Sequence, residues 1–99
     1  MQVSGEMKKN AFVVSLKGRI DMETSNEFNT NVEAYLEANF TPFILNCKDL
    51  EYINSSGLTS IIHLSQMLES FHLKLALCEL QPQVKEVIDI AAMETYFNI

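Results

Sequence analysis

Basic residues are scarce in this chain. Seven lysines and arginines stand against thirteen acidic residues, for a net charge of −6 over 99 residues. The seven are scattered. A duplex nucleic-acid binder needs clustered Lys and Arg to displace counterions, so nucleic acid is excluded as a partner class, and anionic membrane surfaces with it. A basic patch on another protein is the better electrostatic match. Long apolar runs are also missing. None approaches the ~20 residues that span a bilayer. Met1-Gln2-Val3-Ser4-Gly5-Glu6 has no basic flank leading into an apolar core, so no signal peptide is expected and the reading is cytoplasmic. Without a secretion signal, the glycosylation patterns at Asn39-Phe40-Thr41 and Asn54-Ser55-Ser56 carry little weight.

Cysteine is almost absent. Cys47 and Cys78 form no C-x-x-C pair, and His63 and His72 do not stand at ligand spacing from either. Two free, buried thiols are expected, with no metal and no cofactor. Three glycines and two prolines, beside 47% hydrophobic and 20% charged residues, describe one ordinary globular domain over residues 1–99 with no long disordered segment.

Enzyme signatures are lacking as well. There is no G-x-G-x-x-G, no G-x-x-x-x-G-K-[ST] and no G-x-S-x-G. His63 lies about two helical turns beyond Ser56, too far to take its proton. No H-x-x-x-H or paired-carboxylate pattern supplies a metal site or an acid/base pair. The chain reads as a non-enzyme.

What is present is a clear order of elements. Gln2 to Met7 is weakly strand-like, Lys8-Lys9-Asn10 is a short polar connection, and Ala11 to Leu16 is rich in β-formers up to Gly18. Thr24-Ser25-Asn26-Glu27 has the form of a capping box. It precedes a helix whose face carries Phe28, Val32, Tyr35, Leu36 and Phe40, with Glu33 and Glu37 off that face. Pro42 introduces an unalternating run, Phe43 to Cys47, as expected of a strand covered on both faces or lying beside one layer of helices. Leu58, Ile61, Ile62, Ser65, Met67 and Leu68 then repeat at helical spacing within a helix over 56–70. A strand over 73–78 follows, and Pro82 opens a last helix with Val84, Val87, Ile88 and Ala91 on its buried stripe. The order β-β-α-β-α-β-α predicts an α/β fold: a single small domain with a mixed sheet of four to five strands and helices mainly on one face. Two crossovers through helices lay parallel strands side by side. Function is then expected at the C-terminal edge of those strands, where Asn54-Ser55-Ser56 lies.

That segment joins a strand to a helix N-terminus, where free amides and the positive dipole end favour a phosphate. One reading is a serine that is modified or read by a partner. The other is that Asn54 or Ser55 simply caps the helix, and the residues alone favour the cap.

Asn46 to Leu58, as Asn46-Cys47-Lys48-Asp49-Leu50-Glu51-Tyr52-Ile53-Asn54-Ser55-Ser56-Gly57-Leu58, resembles the signature of STAS domains, specifically bacterial anti-sigma factor antagonists, in which a strand runs into D-L-x-x-[IM]-D-S-[ST]-G-L and a helix. Leu16-Lys17-Gly18-Arg19-Ile20-Asp21 resembles the family's L-x-G-[ED]-[IL]-D loop, and Cys78 to Val84 resembles the loop before its last helix. The resemblance spans nearly the whole chain. It implies that Ser55 is the phosphoacceptor of an anti-sigma factor with serine kinase activity, that a serine phosphatase resets it, and that the unmodified domain binds the anti-sigma factor and frees a sigma factor. ATP would belong to the partner. The contact surface would map onto Asp21, Asn54, Ser56 and Thr59. Two departures stand out: Asn54 where the family usually has Asp, and Arg19 where it has an acidic residue. Asn54 offers no carboxylate, and so admits an alternative: a non-switching STAS scaffold, or a subunit of a larger signalling or lipid-transport complex.

Overall fold

In the computed structural model, which describes residues 1–90, β1 (Gln2–Met7) and β2 (Phe12–Ile20) form an antiparallel hairpin. It is closed by the Lys8 amide donating to the Ala11 carbonyl at 2.8 Å. Helix α1 (Ser25–Ala38) leads to β3 (Phe43–Ile53), α2 (Ser55–Glu69) to β4 (Leu75–Cys78), and α3 (Pro82–Ile90) follows. The sheet order is β1-β2-β3-β4, with β2, β3 and β4 mutually parallel, so the expected mixed sheet has four strands.

Both long strands run past their expected ends. Gly18 does not terminate β2. It takes φ +105° beside a register shift between Gly18 and Arg19, so it bulges the strand and lets pairing continue to Ile20 opposite Ile53. On β3 the continuation is Lys48 to Ile53, in which only Leu50 and Ile53 are buried. That spacing of three hides the strand from a period-two reading. From Phe43 to Cys47 buried and half-buried residues alternate, as in a strand with its helices on one side.

The buried faces of the helices meet one face of the sheet in a single cluster. Phe28, Val32 and Leu36 of α1, Leu58, Ile61, Leu64 and Leu68 of α2, and Val84 and Ile88 of α3 pack on Val14, Leu16, Leu45, Leu50 and Leu77. Each such side chain, fully buried, contributes roughly 1.5–3 kcal/mol. Val87 packs at the cluster's margin, and Ala91 lies outside the described residues.

Three local expectations are corrected. The Thr24–Glu27 capping box does not form. Thr24 holds the N-cap position without a side-chain cap bond, because its hydroxyl donates to the Arg19 carbonyl (2.9 Å) and accepts the Asp21 amide (3.0 Å). Phe40 is not on the helix face. It follows the end of α1 and is 66% exposed. The last strand begins at Leu75 rather than Leu73, because α2 ends in a Schellman turn. There the Leu73 amide reaches the Leu68 carbonyl, the His72 amide reaches that of Glu69, and His72 sits at φ +61° where glycine is more usual.

Cys47 is buried on the helix-covered face and Cys78 is half-buried; both are free. Cys78 pairs in register with Asn46, so Cys47 and Cys78 point to opposite faces of the sheet and cannot bridge.

Candidate functional site

Strands β2 and β3 are parallel neighbours and end together, at Ile20 and Ile53. The chain leaves this edge twice, through the turn at Asp21–Thr24 and through Asn54 into α2. The Asn54 amide donates to the Ile20 carbonyl at 3.3 Å and ties the two exits together.

Asn54 is extended (φ −120°, ψ −170°), the usual geometry of an N-cap. Its side-chain oxygen accepts from the Gly57 amide at 3.1 Å and its carbonyl accepts from Leu58 at 2.9 Å. The first residue of α2 is therefore Ser55, which is exposed. Among the described residues its hydroxyl has no hydrogen-bond partner, and its carbonyl accepts from the Thr59 hydroxyl one turn on, at 2.9 Å. Ser56 is half-buried beside it and Thr59 is exposed. The first turn of α2 has no acidic side chain. The amides of Ser55 and Ser56, ahead of the capped Gly57 amide, have no intrahelical acceptor, an arrangement that suits an anionic group on Ser55.

Gly57 makes the close packing possible. A Cβ there would lie 2.6 Å from the Ile20 carbonyl oxygen and 2.8 Å from Ile53 Cγ1. Only glycine lets the first turn of α2 approach both strand ends. The sequence carried this signal as Ser-Ser-Gly at a strand-to-helix junction, but its packing meaning needs the neighbouring strand.

Asp21 is brought to the same edge with its carboxylate already engaged. One oxygen accepts from the Glu23 (3.0 Å) and Thr24 (3.2 Å) amides, and the other from Arg19 Nε (3.2 Å). Its carbonyl accepts from Ser25 at 2.8 Å. Asp21 thus fixes the turn that leads into α1, and the Thr24 hydroxyl is held within that turn instead of capping the helix. Partial desolvation pushes its carboxyl pKa up. The Glu23 amide, the Arg19 guanidinium and the Thr24 amide together outweigh this and hold it below the ordinary 3.8.

Arg19 and Tyr52 were not among the expected site residues. They are register partners at the ends of β2 and β3, and the Arg19 guanidinium lies 4.4 Å over the Tyr52 ring. Tyr52 is 42% exposed, and Met22, next to Asp21, is 76% exposed. Arg19 stood out in the sequence only as a departure from the family's loop pattern, and its pairing with Tyr52 becomes visible only once the strand register is known.

His63 is exposed on α2. Among the described residues no three His, Cys, Asp or Glu side chains gather as a metal site would require, and no helix is long and apolar enough to cross a membrane.

Comparison with known proteins matches the STAS domain family model to residues 2–99. A Bordetella bronchiseptica protein, BtrV, provisionally named an anti-sigma factor antagonist, is 23% identical over 99 residues, covering 100% of this chain and 85% of BtrV. The anti-sigma F factor antagonist of Paenibacillus polymyxa is 24% identical over 94 residues, covering 94% of this chain and 80% of that one. Among solved structures, the anti-sigma factor antagonist SpoIIAA in its unphosphorylated form superposes with a TM-score of 0.82 at 18% identity, covering 97% of this chain and 85% of that one. SpoIIAA in its phosphorylated form gives 0.73 at 17% identity, covering 97% and 88%.

Proposed function

The chain belongs to the STAS domain family, and on that premise we propose that it is an anti-sigma factor antagonist, one STAS domain over residues 1–99, switched by phosphorylation of Ser55. In this reading it acts in the cytoplasm. Unmodified, it docks on an anti-sigma factor through the edge formed by Asp21, Asn54, Ser56 and Thr59, and a sigma factor is released. The anti-sigma factor, acting as a serine kinase with its own ATP, phosphorylates Ser55, and a serine phosphatase removes the phosphate.

The observation that carries the reading is the exposed hydroxyl of Ser55 at the first position of α2, beside the Asp21 turn and without an internal partner among the described residues. A phosphate there adds roughly −1.5 to −2 charge. The helix end accommodates it, so the fold survives. The partner surface pressed against the same edge meets a new charge and loses its apolar contact with it. The discrimination comes from the interface, not from unfolding.

A second reading is favoured by Asn54. Its side-chain oxygen is committed to the Gly57 amide, and position 54 offers no carboxylate to orient the acceptor hydroxyl of Ser55. In that reading the chain is a scaffold, or a subunit of a larger complex, and binds its partner whatever the state of Ser55.

A pull-down with wild type, Ser55→Ala and Ser55→Asp, followed by phosphopeptide mapping after incubation with ATP, separates the two. The switch requires phosphate on Ser55 and a Ser55→Asp protein that loses its partner. A stoichiometric complex equally tight in all three proteins selects the scaffold.

A further inference from the structure

At the opposite end of α2 from Ser55, the C-terminal ends of α1 and α2 enclose an apolar groove. Its cavity is about 380 Å³, within the range of real binding pockets. Leu36 and Met67 form the floor. Phe40 and Phe71 form the wall, each just past the end of its helix, their rings edge-to-face at 4.9 Å and exposed by 66% and 44%. Two large aromatics from different elements, in contact with each other and open to solvent, are not needed by the core. The charge around them has one sign. Glu33 and Glu37 line the groove from α1. Neither α1 nor α2 has a basic residue in its last turn, so two negative dipole ends stand there uncompensated.

We propose that this groove docks a basic amphipathic segment of a partner protein: a bulky apolar side chain seated over Leu36 and Met67 against the paired rings of Phe40 and Phe71, with flanking Lys or Arg meeting Glu33 and Glu37. Aromatic walls supply the anchor pocket, and the carboxylates with the dipole ends supply the charge complement. Both are features of helix-in-groove recognition. The groove is roughly 20 Å from Ser55, the length of α2 at 1.5 Å per residue. Docking there is therefore independent of the chemical state of Ser55, and its failure leaves the proposal for Ser55 untouched.

The test is fluorescence anisotropy with a labelled peptide of about four helical turns, Phe and Leu along one face and Lys on the other, and a control peptide with Glu replacing Lys. The proteins are wild type, Phe40→Ser/Phe71→Ser, Glu33→Lys/Glu37→Lys and Ser55→Asp. All substituted side chains are exposed, and circular dichroism checks each fold. The Lys peptide is expected to saturate wild type and Ser55→Asp alike. It should bind both double variants at least roughly tenfold more weakly, and weaken with added salt. No binding of the Lys peptide to wild type, equal binding by the Glu peptide, or equal affinity for Glu33→Lys/Glu37→Lys overturns the proposal. So does sedimentation showing self-association that disappears in Phe40→Ser/Phe71→Ser, since the occupant is then a second copy of the chain.

Discussion

The Asn54 amide donates to the Ile20 carbonyl at 3.3 Å, and across that bond the two exits from the sheet become one surface. The Ile20 carbonyl also limits how close α2 can come, because a Cβ on Gly57 would lie 2.6 Å from it. The position of Ser55 is thus fixed by backbone on both sides.

Gly57→Ala is expected to destabilise the domain. Alanine is better than glycine in a helix by about 1 kcal/mol, but here the methyl meets backbone that cannot rotate away. Overpacking of this kind costs about 1–3 kcal/mol, so the net change should be a loss. Urea unfolding decides the sign.

Asn54→Ala removes the side-chain acceptor of the Gly57 amide and should cost about 1 kcal/mol in the same assay. Asn54→Asp keeps the cap and adds charge that the dipole favours. It should match wild type in stability, and under the proposed function it raises the rate of phosphate transfer to Ser55, measured with labelled ATP.

Asp21 gives the domain a defined acid dependence. Its pKa is lower folded than unfolded, so the stability it contributes is fully present above the ordinary 3.8 and is lost as pH falls through the folded value. The stability difference between wild type and Asp21→Asn should be constant near neutrality and shrink below about pH 4. Thermal melts across that range measure it.

The two thiols should react differently. Burial pushes Cys47 up to about 12, with Cys78 adding to the shift, and the side chain is enclosed in the core. Burial also raises Cys78, but it remains half-accessible. A thiol reagent near pH 8 should label Cys78 first and Cys47 only on unfolding, with no disulfide on mild oxidation. Mass spectrometry of the peptides reports the order.

Much of the fold is legible in the sequence because apolar spacing carries it. Phe28, Val32 and Leu36, then Leu58, Ile61 and Leu68, announce two helices, and Phe43 to Cys47 announces the strand between them. What the sequence hides is set by partners far along the chain. Gly18 looks like a stop and is a bulge, because β3 is there to continue the pairing. Thr24 looks like a cap, but its hydroxyl is held by the Arg19 carbonyl and the Asp21 amide of the preceding turn. Phe40 fits the helical period of α1 and falls beyond its end. At the site, Asn54 and Ser55 are readable because capping is local. The stacking of Arg19 on Tyr52 and the close approach at Gly57 depend on strand register and are not.

The length of α2 has a practical consequence. A single helix carries Ser55 at one tip and the Phe40–Phe71 groove at the other. If each tip gripped a macromolecule, the small domain between them would set their spacing. Assemblies with three components are geometrically open to it, and their stoichiometry is countable by mass.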